Sequence, residues 1–400
     1  MCNVLYRVPV LLLFAAHAAA AMALDTLIPA GIPGLGAPPS LSLIGQAPPG
    51  SLPVPVQFGG LTLSPSLSAG FGYDSAPAAG TPGSLMFNAQ PKLVAADPFL
   101  GLGAYVAANT QYLPAEPSQN VAGYTVAIGE AAELPTQKLT LAGGYARAAL
   151  TDFGIDALNL TTPLDYTVGG LTAGDRLDFG EFSLAPEISY ADVRFDGSPS
   201  LDFTQLRQRA EIGYQPGGPM RVVTMLEATQ SDYRIAATNA NSYAALTGLE
   251  DDQTGLWDVR LLAGAAWRVP AQGAVIAAPV LEAALVWAPT PLTRVNADIE
   301  RELDDPDQIS PAGYKLTQAD LSVTHELRRD IDLAGAFQAA HAVYFQGART
   351  EDVYTADATL TWHLNAALAL NGAYAFADRQ ANFARAANQH VFTFNAVWTP

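Results

Sequence analysis

Tyr354-Thr355-Ala356-Asp357-Ala358-Thr359-Leu360-Thr361-Trp362-His363-Leu364 places an apolar or small residue at every even position and a polar one at every odd position. Successive side chains of an extended strand point to opposite faces, so this period of two describes a strand with one apolar face. The pattern recurs at Leu368, Leu370, Gly372, Tyr374 and Phe376, and at Phe392, Phe394, Ala396 and Trp398. Upstream, Ala319, Leu321, Val323, His325 and Leu327 alternate with Gln318, Asp320, Ser322, Thr324 and Glu326. Such strands build either a soluble sandwich or a closed barrel in a membrane.

Composition favours the membrane. Half of the chain is hydrophobic and only 14% is charged, against about 25% charged in ordinary soluble domains. After the N-terminal region no apolar run reaches the ~20 residues that a spanning helix needs. Lipid-facing residues diluted one in two by luminal ones give this composition in an outer-membrane barrel. The net charge of −18 would repel nucleic-acid phosphates, which excludes that class of partner. It suits acidic outer loops and an anionic or neutral lumen.

Residues 1–23 read as an export signal. Arg7 is the basic flank, Val8 to Met22 the apolar core, and Ala21-Met22-Ala23 a small-x-small cleavage site before Leu24; cleavage after Ala21 is the alternative. The run is short and broken by His17, which disfavours a membrane anchor. Cys2 is the single cysteine and lies ahead of the core, so the mature chain is expected to hold neither disulfides nor thiolate metal sites. Residues 24–60 carry Pro29, Pro33, Pro38, Pro39, Pro48, Pro49, Pro53 and Pro55. Prolines at this density block ladders and helices, so the stretch is expected to be a flexible periplasmic arm, with a plug or a partner-binding tail as the sharper alternative. Residues 61–400 are expected to form the barrel.

The patterning predicts all-β architecture: a transmembrane, up-and-down antiparallel barrel of about eighteen strands. They fall at 61–73, 85–95, 99–112, 121–133, 138–147, 164–173, 179–195, 201–214, 220–233, 242–249, 256–267, 274–287, 291–300, 314–327, 331–345, 354–364, 366–376 and 388–398. Short breaks, such as Ala96-Asp97-Pro98, Pro135-Thr136, Gly174-Asp175, Glu250-Asp251-Asp252 and Pro289-Thr290, alternate with breaks that are longer on average, as periplasmic turns and outer loops do. The alternation holds only if 242–249 is a strand; loss of a hairpin within 148–178 or 234–255 would leave sixteen.

The two faces can be assigned from the residues. Trp257, Val259, Leu261, Ala263, Ala265 and Trp267 form an apolar stripe with tryptophan at each end, opposite Asp258, Arg260 and Arg268. Trp257, Trp267, Trp287, Trp362, Tyr374 and Trp398 are the expected membrane-interface aromatics. Leu206, Ala210, Ile212 and Tyr214 oppose Arg207, Arg209 and Glu211, and Val295, Ala297 and Ile299 oppose Arg294 and Asp298. Arginine on the lipid face at mid-depth costs about 2–4 kcal/mol, so Arg207, Arg209, Glu211, Asp258, Arg260, Arg294 and Asp298 are expected to line the lumen. The arginines would either form an anion-selecting ladder or pair with Glu211, Asp258 and Asp298 to fill the interior.

Glu250-Asp251-Asp252 and Asp304-Asp305-Pro306-Asp307 lack the spacing of a calcium loop and read as solvated turns. No metal and no cofactor are expected. There is no Gly-x-Ser-x-Gly elbow and no His-Glu-x-x-His helix; His341 with Asp357 is the nearest approach to a catalytic pair, and no enzyme activity is expected.

Several segments resemble a known family. Trp287-Ala288-Pro289-Thr290-Pro291-Leu292-Thr293, His325-Glu326-Leu327, Phe345-Gln346-Gly347 with Arg349 and Asp352, Leu364-Asn365, then Tyr374, Arg379 and Asn382, and Gly72-Tyr73-Asp74 near the start are similar to turn signatures of the proteobacterial outer-membrane β-barrel porin 2 family. The resemblance covers most of the chain from Gly60 and is strongest over the last 115 or so residues. It implies a barrel in the bacterial outer membrane, in contact with outer-membrane lipid and with the barrel insertion machinery. It also implies a possible link to envelope polysaccharide export, and it transfers no cargo-specific residue. Outer-membrane barrels usually end on an aromatic residue, whereas Thr399 and Pro400 follow Trp398 here. The expected function is a passive channel for small polar solutes or saccharides. The alternative is a closed structural or accessory barrel serving envelope organisation or exopolysaccharide export. A secreted β-sandwich is the soluble alternative. Oligomeric state and solute are not encoded in these patterns.

Overall fold

In a strand the backbone groups point sideways, and a closed ladder satisfies them all without water. The computed structural model describes residue 32 and residues 56–97, 99–155, 160–251, 256–304, 313–345 and 347–400. The expected signal (1–23) and all of the expected arm before Val56 except Ile32 lie outside the described residues.

A short strand, β1 (Val56–Phe58), begins within the expected arm and folds back on β2 (Leu61–Asp74). Eight strands follow: β3 (Ser84–Asp97), β4 (Leu102–Tyr112), β5 (Val121–Leu134), β6 (Gln137–Leu150), β7 (Leu164–Phe179), β8 (Phe182–Phe195), β9 (Phe203–Tyr214) and β10 (Met220–Tyr233). Then come β11 (Ala240–Asp251), β12 (Trp257–Pro270), β13 (Ile276–Thr290), β14 (Thr293–Asp304) and β15 (Tyr314–Arg328). The series ends with β16 (Ile331–Tyr344), β17 (Thr350–His363), β18 (Leu368–Ala381) and β19 (Ala387–Trp398). Each strand from β2 to β19 pairs antiparallel with its sequence neighbours, and β19 returns to β2, with Val391 opposite Asp74 and Trp398 opposite Leu67. Eighteen long strands therefore close an up-and-down barrel. The count is eighteen and not sixteen, because β7 and β11 are both complete members of the ladder.

Connections at one rim run from two residues (135–136) to five (215–219). At the other they run from five (345–349) to thirteen (151–163). Short connections at one rim and longer ones at the other are the asymmetry expected of periplasmic turns and outer loops. Two expected turns are displaced. Gly174-Asp175 lies inside β7, which continues to a tight turn at Gly180-Glu181, where Gly180 adopts φ +69°. That left-handed conformation suits glycine, and the polar residues Asp175, Arg176 and Asp178 had hidden the last turns of ladder. Pro289-Thr290 likewise belongs to β13, which absorbs it through a register shift between Trp287 and Thr290 before turning at 291–292.

The outer face is apolar around the ring: Phe71, Ile128, Leu141, Leu171, Ile188, Leu261, Phe337 and Phe394 are all between 46% and 63% exposed. At the short rim Trp257 stands directly opposite Trp287, and Trp362 and Trp398 end β17 and β19. Towards the long rim Trp267 stands opposite Tyr243. Ten residues from Trp257 to Trp267 span about 33 Å along a strand, or about 25 Å once a tilt of about 40° is allowed for, which matches the apolar band of an outer membrane. Tyr374 stands near the middle of β18, its hydroxyl 2.9 Å from His390 Nδ1.

Leu261→Arg would place a guanidinium in the middle of the band, beside Trp257 and Trp267 on the same face of β12. The expected result is a loss of about 2–4 kcal/mol in denaturant unfolding from lipid vesicles.

Candidate functional site

The interior is built from the residues that alternate with the lipid-facing ones. On β9 these are Arg207, Arg209 and Glu211, and on β10 Arg221, Glu227 and Ser231. Arg260 on β12 and Glu211 on β9 are three strand spacings apart, about 14 Å along the sheet, yet Arg260 Nη2 lies 2.9 Å from Glu211 Oε2. Long side chains converge in this way only on the concave face.

The result is one ion-pair belt across β9 to β13. Glu211 also takes Arg221 at 2.7 Å, and Glu250 takes Arg221 at 3.1 Å and Arg260 at 3.3 Å. Arg260 Nε donates to Glu282 Oε1 at 2.6 Å, and Arg207 Nη2 lies 2.6 Å from Glu227 Oε2. Each shared carboxylate bridges two guanidiniums, which fixes rotamers that an isolated surface pair would leave free. Arg209 faces Glu227 in register. Arg294 Nε donates to Asn296 at 3.0 Å.

The arrangement changes several expectations. The principal partners of the arginines are Glu211, Glu227, Glu250 and Glu282, where Glu211, Asp258 and Asp298 were expected. Glu250 is no solvated turn residue: it is on β11, its side chain only 18% exposed between two arginines. Asp304 is likewise buried at the end of β14 and accepts from Tyr314 Oη at 3.0 Å. Asp258 faces inward in register with Val286, and Asp298 stands directly across from Asp320. Glu227, Glu250 and Glu282 were legible in principle, since each alternates with apolar neighbours on its own strand. His341 bonds Asp352 at 2.7 Å on the outer face, whereas Asp357 belongs to the opposite parity of β17 and faces the lumen.

Charge is unevenly distributed around the ring. On β14 the inward parity reads Arg294, Asn296, Asp298, Glu300, Glu302 and Asp304. Glu282 of β13 lies opposite Glu300, and Asp298 lies opposite Asp320. This wall is predominantly acidic. An aromatic and aliphatic patch lies on the wall from β4 to β9, beside the charges of β9, with Tyr105, Tyr166, Val168, Val193, Phe195 and Phe203 buried in it.

At the long rim residues 151–155 fold inward. This segment leaves β6 and reaches the far side of the ring, where Ile155 packs against Tyr314, Leu316, Tyr344 and Val353 and Phe153 against Ala377 and Ala387. A buried latch holds it: Asp152 Oδ1 lies 3.1 Å from Arg379 Nη1, and Asp152 Oδ2 accepts from the Ala79 amide at 3.1 Å. Arg379 is fully buried, and its Nε lies 3.7 Å from Glu351, which also accepts from Tyr344 Oη at 2.9 Å. Burial pushes the Asp152 carboxyl above its ordinary range, and Arg379 acts against that shift. Asp152 and Arg379 are far apart in sequence, so periodicity gave no sign of the latch. Beside it is a rim cavity of about 620 Å³ lined by Thr81, Asp152, Thr161, Asn382, Phe383 and Arg385 among others.

Arg379→Met should strand two buried carboxylates, a change that costs about 3–5 kcal/mol when a buried pair is broken. Because the cost falls on a loop, the expected outcome is loop release: external protease should cut within 151–163 in whole cells while the barrel keeps its heat-modifiable migration on gels. Resistance equal to the parent would show that apolar packing of Phe153 and Ile155 suffices.

Comparisons with known proteins place this geometry. The family model described as putative beta-barrel porin 2 matches residues 49–396. Among solved structures, the outer membrane protein opdK from Pseudomonas aeruginosa is similar at 11% identity and a TM-score of 0.46, over 84% of this chain and 98% of its own. OccK3 (OpdO) from the same organism shows 13% identity and a TM-score of 0.43, over 84% and 96%. Pseudomonas aeruginosa OpdL shows 9% identity and 0.44, over 86% and 99%. No curated protein matches the chain. The family assignment rests on the match along nearly all of the described barrel: this chain belongs to the beta-barrel porin 2 family.

Proposed function

We propose that the protein is a passive outer-membrane channel for small polar solutes, saccharides among them, with an interior that favours cations over anions. One observation carries the reading: a closed eighteen-strand ring combines a continuous apolar exterior with a charged interior. A barrel of this strand number is wide enough to leave an aqueous path, and carboxylates are concentrated on the inward face of β13 to β15. The arginines of the belt are matched by carboxylates, so they offer little net positive field for an anion ladder. The carboxylates of β13 to β15 exceed the arginines facing them, which sets a negative local potential. The natural solute would pass by diffusion down its gradient, selected by size and charge.

Planar-bilayer recordings of the refolded protein are expected to show discrete conductance steps and a reversal potential that favours cations in a salt gradient. Asp298→Asn with Asp320→Asn should move that potential towards zero, more strongly at low salt, where screening is weaker. Silent bilayers from folded, inserted protein would overturn the channel reading, and an anion preference would overturn the assigned polarity. Vesicle swelling in uncharged oligosaccharides of graded size tests the solute class directly.

A further inference from the structure

An inner wall that faces only water should be polar, yet β4 to β9 present Tyr105, Ala127, Ala146, Tyr166, Val168, Val193, Phe195 and Phe203 to the lumen. Val168, Val193 and Ala146 are each 0% exposed. Small side chains on the inside of so wide a ring are that inaccessible only when something is seated over them. Aromatic neighbours account for part of the cover: Tyr166 and Phe195 meet at 5.8 Å between ring centroids, and Phe203 and Tyr233 at 5.2 Å. The remainder includes a residue from outside the barrel. Ile32, 3% exposed, belongs to this same cluster and forms an isolated β-bridge.

From these contacts we infer that the aromatic wall of β4–β9 is a receptor site for this chain's own N-terminal segment, and that Ile32 is the side chain that occupies it. The seat lies inside the lumen, across from the acidic wall of β13–β15, so its occupant narrows the aqueous path to the charged side. The tether is long enough. Val56 starts β1 at the short rim, twenty-four positions after Ile32, and that many residues can span up to about 80 Å when extended, well beyond the height of the barrel. The chemistry of the seat requires a branched aliphatic side chain and excludes a charged one. In its effect on conduction the inference rests on the channel reading; in the seating itself it does not.

The test separates the two. Ile32→Cys paired with Ala146→Cys, in a chain whose single natural cysteine is Cys2, should cross-link with a short bismaleimide in isolated outer membranes. Ile32→Cys paired with Asn296→Cys on the acidic wall should not. Failure of the first pair, or equal yield from both, in protein with normal heat-modifiable migration, would overturn the seating whether or not the barrel conducts. Ile32→Asp is then expected to raise mean conductance severalfold, and Ile32→Leu to leave it unchanged. Efficient cross-linking at Ala146→Cys combined with an unchanged Ile32→Asp conductance would overturn the narrowing and leave only a structural contact.

Discussion

Backbone hydrogen bonding in a hydrocarbon layer is the constraint on which the rest of this molecule depends. No water is present there to satisfy an orphan N–H or C=O, so a strand can cross only within a sheet that has no edge. The pairing of Trp398 with Leu67 and Val391 with Asp74 meets that requirement by joining the last strand to the first. Closure fixes everything downstream. It gives each strand one face towards lipid and one towards the lumen, and it makes the inner face concave. Curvature then brings Arg260 and Glu211 into contact over three strand spacings.

The interior uses this convergence in two ways. Across β9 to β13 it holds a belt in which Glu211 and Glu250 each serve both Arg221 and Arg260, so positive and negative charge are matched there. At the outer mouth it takes Arg379 wholly out of solvent between Asp152 and Glu351. Removing a cation from water is expensive unless it is paired and hydrogen-bonded, so the latch works only while the 151–155 turn supplies Asp152. Loop position and charge burial are therefore one coupled feature.

Much of the fold was legible because the membrane forces a strict alternation. Trp257, Leu261 and Trp267 on one parity and Asp258 and Arg260 on the other suffice to assign both faces of β12, and the same reasoning located all eighteen long strands. Its errors had a common cause. Gly174-Asp175 and Pro289-Thr290 look like turns because local propensity favours turns there, but β7 stays paired to β6 through the first and a register shift absorbs the second. Glu250 and Asp304 look solvated because they sit in acidic runs, but the inward curvature of the barrel buries them beside Arg221, Arg260 and Tyr314.

By itself, then, the sequence determined an up-and-down barrel of about eighteen strands with sixteen left open, its lipid-facing stripe and the parity of its luminal charges. These follow from a period of two that any single strand displays. Only the tertiary structure decided which carboxylate meets which arginine, that the 151–155 turn crosses to Arg379, and that Ile32 covers the aromatic wall. Each of those contacts joins residues from non-neighbouring strands or from outside the ladder. Their partners are set by curvature and closure, which no local pattern encodes.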